Sequence, residues 1–414
     1  LHLPPSPRHR RFTLLWLGLM ISVAGTQMQV WALFWHIRTL TDQPIALGGV
    51  GLARIIPVIL FSLIGGAMAD VVNRRLMLFF TQTAMALLAL VLAILTWQGQ
   101  VALWHIYLLT ALQAVAISFD QPARQALVPN LVPKEDLSNA FSMTSIAFQT
   151  GAIIGPAISG LVIAYLGQAY IYFFNAVSYV AVLIALVLMG NVTQKAVADR
   201  RAALSLPAIR EGVQFILHQP MILSTMIMDF FATFFSSANT LLPIYTRDIL
   251  HVGAIQYGWL SAAQSIGAVA AASIMSQVHQ IRRQGPTILV AVIFFGIATA
   301  FFGLARSFPL AMLALIGVGA ADSVSTIIRN TIRQLQTPDY IRGRMTSVNQ
   351  IFFMGGPQLG EVEAGVTAQL FGTPFAIISG GIGCIIAAGL IILRWPQIMH
   401  YNGDEPIKAG APAD

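Results

Sequence analysis

The sequence predicts an all-α polytopic membrane protein: twelve transmembrane helices in two pseudo-symmetric six-helix bundles. Three observations predict it. Only 9 % of the 414 residues are charged and 57 % are hydrophobic, against roughly 25 % charged in a soluble domain, so a soluble fold is excluded. The apolar residues fall in runs of about 20, the length that crosses a bilayer as a helix with every backbone group satisfied internally. The two halves of the chain also repeat each other. The 34 Gly and 20 Pro are scattered along the apolar runs, which fits neither a disordered polymer nor a collagen-like repeat. Twelve spans of about 22 residues take up about 264 positions, which leaves short loops and no room for a large soluble domain.

Each apolar run between charges or turn signals counts as one helix. The first span covers 12–37. Pro4 to Arg11 ahead of it resemble the start of a signal peptide, but the run lacks a small-residue cleavage site and is too long, so a retained span is predicted. The opening at Leu1 is read as a trimmed or alternative start. Spans two to six follow at 47–69, 76–97, 103–126, 137–166 and 170–190. Spans seven to twelve follow at 220–246, 255–279, 286–305, 309–333, 343–371 and 374–395.

The longest interruption, 191–219, carries Lys195, Asp199, Arg200, Arg201, Arg210 and Glu211 and marks a domain boundary. It separates an N-terminal bundle at 1–190 from a C-terminal bundle at 220–395, with a tail at 396–414. Within the linker, Leu206 to Leu217 has helical spacing of apolar residues, which predicts a helix lying on the inner surface or packed as a connector. Orientation follows from the 23 Lys and Arg: Arg38, Arg247 and Arg306 fall in one set of loops, Arg54 inside a span, and all the others on the opposite side. Positive charge marks the cytoplasmic side, so both termini are expected there. The net charge of +7 reflects this topology and lends no support to a nucleic-acid partner. Cys384, the single cysteine, cannot form an internal disulfide.

Adding 205 to positions from Arg124 to Gly167 pairs Arg124 with Arg329, Pro133 with Pro338 and Phe148 with Phe353. Gly151, Gly155, Gly160 and Gly167 pair with Gly356, Gly360, Gly365 and Gly372 without a gap. Parallel repeats of this kind bind substrate near the midplane between the halves and expose it alternately to each side, so a transporter is predicted.

Two motifs then carry a resemblance. Gly66-Ala67-Met68-Ala69-Asp70-Val71-Val72-Asn73-Arg74-Arg75 resembles the G-x-x-x-D-R-x-G-R-R loop of the major facilitator superfamily, with Val71 in place of Arg and Asn73 in place of Gly. Gly151-Ala152-Ile153-Ile154-Gly155-Pro156-Ala157-Ile158-Ser159-Gly160 is similar to the superfamily's G-x-x-x-G-P-x-x-G-G motif of proton-exchanging exporters, with Ser159 in place of one Gly. Gln121 to Pro129, followed by Leu137-Ser138-Asn139-Ala140, further resembles the bacterial branch that holds macrolide-efflux and enterobactin-export proteins. The resemblance implies the major facilitator fold, a bacterial inner-membrane location, a monomer, and a drug/proton antiporter.

Asp70 in its cytoplasmic turn can bond to Arg124 or face the N-terminal end of span eleven, which would tie the halves together and gate the inner side with Gly66, Arg74 and Arg75. The alternative for Arg74 and Arg75 is positive-inside topology alone. Gly151, Gly155 and Gly160 clear one sector of span five for close backbone contact, and Pro156 adds a bend.

Ionisable groups at membrane depth mark pathways, partners or cavities. Asp322, Asp229 and Glu361 are expected as proton carriers, since a carboxylate deprived of water loads and releases protons as its exposure changes. The competing readings are attraction of a cationic substrate and, for Asp229, a structural carboxylate. Glu361 and Glu363 stand about 200° apart on a helix, so both cannot face one cavity. By analogy with the superfamily, spans two and eleven face each other, so Arg54 can pair with Glu361 or Glu363 as an outer gate, or snorkel.

The resemblance also implies a cavity lined by spans one, four, seven and ten. Gln27, Trp31, Phe230, Phe234 and Asn239, with Gln113, Gln264 and Asn349, are its candidate lining. Aromatic residues in spans also serve packing and lipid contact. A wide aromatic pocket suits bulky amphipathic compounds. There is no phosphate loop, no H-E-x-x-H and no paired Cys/His spacing, so neither an enzyme nor a cofactor or metal is expected. The expected function is proton-coupled efflux of a small drug-like or siderophore-like compound; the alternative is a lipid or lysophospholipid carrier without proton coupling.

Overall fold

The computed structural model describes residues 8–192, 213–278, 281–338 and 341–403. Among these, six long helices make up the first half: α1 (Arg10–Leu40), α2 (Pro44–Val71), α3 (Arg74–Trp97), α4 (Leu103–Leu127), α5 (Leu137–Tyr165) and α6 (Gln168–Met189). Six more make up the second: α7 (Pro220–Phe235), α8 (Ala254–Met275), α9 (Gln284–Leu304), α10 (Phe308–Leu335), α11 (Arg342–Phe371) and α12 (Thr373–Arg394). Each begins and ends within a few residues of an apolar run in the sequence, except α7. Among the described residues, eleven helical stretches are long and apolar enough to cross a bilayer, the seventh only when continued from α7 to Ile249, and α11, diluted by Glu361 and Glu363, completes the set. The linker helix expected over 206–217 lies mostly outside the described residues; 213–217 are helical.

Local chemistry sets the ends. Asn73, in place of the motif glycine, caps α3 by accepting the Leu76 amide at 3.2 Å. Gly167 and Gly372, partners in the repeat, join α5 to α6 and α11 to α12 with φ of +92° and +90°. Their ψ values of 169° and 154° put both in a region open essentially to glycine alone, so the same turn is built twice from the same residue.

The seventh span is the one that the structure breaks. After Phe235 the chain passes through a 3₁₀ turn, Ser237–Leu241, and a π turn, Tyr245–Ile249. Pro243 lacks an amide proton, and the Ser237 hydroxyl donates to the Thr233 carbonyl at 2.7 Å. Both compete with a regular ladder.

The chain forms two compact units. The first holds α1, α3 to α6, α2 from Leu52 onward, and the first turns of α8 (Gly253–Ala262). The second holds the start of α2 (Gln43–Gly51), α7, α8 from Ala263, and α9 to α12. Within the first, α1 packs on α5 and α6, and α3 on α4 and α6. Within the second, α7 packs on α11 and α12, and α9 on α10 and α12. The pairing pattern is thus repeated helix for helix. Buried Phe12, Leu15, Leu78, Leu127 and Leu186 centre one core, and Ile288, Val292, Phe295, Ile328 and Cys384 the other. Outward faces carry aliphatic and aromatic side chains such as Ile59, Phe80, Val290 and Leu393, as expected where the solvent is lipid.

Candidate functional site

The repeated glycines show what the packing motif does. A Cβ on Gly151 would lie 2.7 Å from Val23 Cγ1, and one on Gly155 would lie 2.6 Å from Gln27 Cβ, so α5 is seated against α1. Their partners do the same for α11 on α7: a Cβ on Gly356 would lie 3.1 Å from the Phe230 carbonyl, and one on Gly360 would strike the Phe234 carbonyl. Gly160 turns elsewhere. Within the first unit it meets the start of α8, where its Cβ would lie 2.8 Å from Gly258 Cα. Its partner Gly365, within the second unit, meets the start of α2, 2.9 Å from Gly48 Cα. These contacts explain why each compact unit takes in one short segment from the other half of the sequence. Pro156 lies inside α5, its carbonyl 2.8 Å from where a Gly258 Cβ would sit.

The charges at the C-terminal end of α4 and the N-terminal end of α3 in the first unit are satisfied locally. Asp120 on α4 is buried, pairs with Arg124 four residues on, and accepts from Thr81 at 2.9 Å and Gln82 at 2.6 Å on α3. Arg124 therefore has its carboxylate on its own helix. The side chain of Asp70 lies outside the described residues. Arg74 donates to the Ala69 and Ala126 carbonyls at 3.0 and 2.9 Å and to Asn130 at 2.8 Å. Arg75 donates to the Leu186 carbonyl at 2.6 Å and to Asn191 at 3.3 Å. The arginine pair thus closes the C-terminal ends of α2, α4 and α6, where free carbonyls and the helix dipole favour cations. Gly66 has open space around it.

The second unit carries a different arrangement. Asp229 on α7 is buried, and both of its oxygens are taken: Oδ1 by Arg329 at 2.9 Å and Oδ2 by Arg333 at 3.1 Å, both from α10. Arg333 also donates to Asn349 on α11 and to the Arg329 carbonyl at 3.3 Å. Arg329 is fully buried; the nitrogen that reaches Asp229 lies 3.6 Å from Asp322 Oδ1 and donates to Thr326 at 2.9 Å. Thr326 in turn donates to Asp322 at 3.4 Å. The Asp322 side chain is 46 % exposed, the most open member of the network. Two carboxylates and two guanidiniums balance in charge, which is the condition for ions to persist at this depth.

Sequence reasoning did not single out Arg329 and Arg333 as site residues. The available signal was their spacing: 322, 329 and 333 share one face of a helix at i, i+7 and i+11.

The other candidates divide between networks. In the first unit Gln113 accepts from Gln29 at 3.1 Å, and Gln29 accepts from Asn175 at 2.6 Å, an amide chain across α4, α1 and α6. Gln27 is half-buried beside Gly155. The Trp31 carbonyl accepts from the Tyr257 hydroxyl at 2.7 Å, and its ring stands edge-on to Tyr257. Arg54 lies over the Phe34 ring, 5.4 Å from its centroid.

In the second unit Phe230 and Phe234 stack at 5.9 Å. Asn239 and Gln264 donate to each other at 2.7 and 3.1 Å, so each amide completes the other. Glu361 packs against the start of α2, its Cβ 2.9 Å from where a Gly51 Cβ would be. Glu363 accepts from Thr367 at 2.8 Å, along its own helix. The two acids thus point in different directions, as their spacing requires.

A protein family described as transmembrane secretion effector matches residues 4–405. The multidrug efflux pump Tap of Mycolicibacterium fortuitum is 26 % identical over 390 residues, covering 92 % of this chain and 94 % of that protein. The enterobactin exporter EntS of Citrobacter koseri is 25 % identical over 351 residues, covering 84 % and 83 %. Among solved structures, a bacterial homologue of the human lysosomal transporter Spinster matches with a TM-score of 0.72 at 15 % identity, covering 96 % of this chain and 98 % of that one. A POT family transporter matches equally well at 0.72 and 13 % identity, covering 94 % and 96 %. At such identities the likeness is one of fold.

Proposed function

The chain belongs to the transmembrane secretion effector family of major facilitator superfamily transporters, and from that premise we propose that it exports a small amphipathic compound in exchange for protons, by alternating access. It is a membrane transporter with efflux pumps among its relatives; substrate class, coupling ion and mechanism are the proposal. A bacterial inner-membrane location, cytoplasmic termini and a monomeric unit go with it.

The observation that carries the reading is the charge network around Asp322. Of the acids expected as carriers, Asp322 combines a half-exposed side chain with a buried counter-charge, and we take it as the group whose proton is exchanged while its charge is felt inside the helix bundle. Asp229, held by two arginines, supplies the fixed negative charge. Glu361 is a second carrier beside the start of α2. In one cycle Asp322 takes a proton while open to the outside, keeps it through the change of access, and yields it inside as substrate binds. One proton entering across 100 mV supplies about 2.3 kcal/mol. With about 1.4 kcal/mol for each tenfold of gradient, that voltage supports roughly fifty-fold accumulation of a neutral solute.

Trp31, Phe230 and Phe234 are proposed as aromatic contacts for the substrate. Gln27, Gln113, Asn239, Gln264 and Asn349 are proposed as its polar margin, with Arg54, Glu363, Asp70, Gly66, Arg74, Arg75 and Arg124 serving the gates. Relatives named for enterobactin and for drugs support a bulky amphipathic cargo. The test is flux in proteoliposomes under an imposed pH gradient, with ethidium, a hydrophobic macrolide, a catecholate siderophore and a lysolipid as separate cargoes. Accumulation driven by the gradient for one of the first three supports the proposal; movement of the lysolipid alone, indifferent to pH, refutes it.

A further inference from the structure

Given coupling through Asp322, we infer that Arg329 is the positioning residue that turns its protonation into a change of helix contact. One guanidinium nitrogen is divided between Asp229 on α7 and Asp322 on α10, and passes to Asp229 alone when Asp322 takes a proton.

The geometry singles out Arg329 among the four charges. Arg333 is fixed by three separate contacts: Asp229, Asn349 and the Arg329 carbonyl. Asp229 is fixed at both oxygens. Among the described residues, Arg329 makes its polar contacts through Nη2, which serves Asp229, Thr326 and Asp322 together, while its buried Nε and Nη1 have no hydrogen-bond partner there. A fully buried guanidinium attached through one nitrogen is held by the balance of its two carboxylates, at 2.9 and 3.6 Å. Removing the charge of either one shifts that balance.

The repeat supports the same assignment. Arg124, the partner of Arg329, has its carboxylate Asp120 four residues back on its own helix, closed by Thr81 and Gln82. In the second half the position equivalent to Asp120 is Ser325, whose buried hydroxyl has no partner among the described residues. Its carboxylates stand instead at Asp322, two turns away on the same helix, and at Asp229, on another helix. The first copy is a closed local pair; the second is stretched between helices and can transmit a change.

Among the described residues, the titratable or charged groups facing Arg329 are Asp229 from α7, Asp322 and Arg333 from α10, and the Cys384 thiol from α12. The cluster is neutral with Asp322 ionised and carries one positive charge when it is protonated. Asp322 is the acid in it whose side chain is half-exposed.

The test reads the proton without a substrate. Purified protein in lipid nanodiscs is titrated under infrared difference spectroscopy, following the protonated-carboxyl band that is present in wild type and missing from D322N. R329Q takes the cation from Asp322, whereas D229N releases the whole of Arg329 to it. The two variants are expected to move the midpoint in opposite directions, each by about tenfold in proton concentration. Shifts in one direction, or no shift, overturn the assignment, as would a band that survives in D322N. Should R329Q fail to fold, the charge-balanced R329Q/D229N replaces it and must move the midpoint, relative to D229N, in the direction opposite to the shift from wild type to D229N. Ethidium flux under a pH gradient is measured in parallel. Opposite shifts without gradient-driven flux would remove the coupling reading and leave the shared arginine standing; coupled flux without opposite shifts would do the reverse.

Discussion

Gly160 and Gly258 cross so closely that a Cβ on the first would lie 2.8 Å from the Cα of the second. Gly365 and Gly48 reproduce the crossing at 2.9 Å. Both are contacts between the second helix of one half and the fifth helix of the other, each inside a single compact unit. The internal repeat therefore duplicates an exchange of segments as well as a bundle.

Adding one methyl at this crossing should be costly, because both neighbours are backbone and cannot yield. G160A and G365A are expected to lower the thermal midpoint in detergent, at about 1–3 kcal/mol each. G66A, whose methyl meets open space, should be neutral or gain about 0.5–1 kcal/mol from helix propensity. Equal midpoints for G160A and G66A would contradict the close crossing.

Asp229 and Asp322 should separate in stability. Asp229→Asn leaves two buried guanidiniums without their main partner, and breaking a buried pair costs about 3–5 kcal/mol. Asp322→Asn removes a half-exposed carboxylate 3.6 Å from its cation and leaves both guanidiniums on Asp229, at 2.9 and 3.1 Å, so a smaller loss is expected. Thermal unfolding of the two variants side by side checks the order, and a D322N protein less stable than D229N would reverse the account of the network.

Arg74 and Arg75 distinguish helix closure from membrane topology. Arg74→Lys keeps the positive charge but cannot reach the Ala69 and Ala126 carbonyls and Asn130 from one ammonium group. The variant should insert normally, as read by labelling of engineered loop cysteines, yet lose about 1–2 kcal/mol of stability through hydrogen bonds to a charged group. A variant as stable as wild type would reduce Arg74 to a topology signal.

The spans were legible because a bilayer enforces runs of about 20 apolar residues, and the offset of 205 exposed Gly160 and Gly365 as equivalent. Their partners Gly258 and Gly48 were not legible, since the helix that a glycine faces is a tertiary fact. Asp229 and Asp322 stood out as acids at membrane depth. Arg329 and Arg333 did not, because an arginine near the end of a span is what the expected topology already demands. Asn239 and Gln264 were visible as polar points, but their mutual pairing was not. The break in α7 was hidden by an apolar run that continues through Pro243.

The most direct test of the central claim, that Asp322 exchanges the proton that drives transport, is Asp322→Asn in proteoliposomes. Ethidium binding and gradient-free exchange are measured alongside uptake driven by a pH gradient. The account predicts that binding and exchange persist while gradient-driven accumulation is lost. Accumulation at the wild-type level in D322N would contradict it.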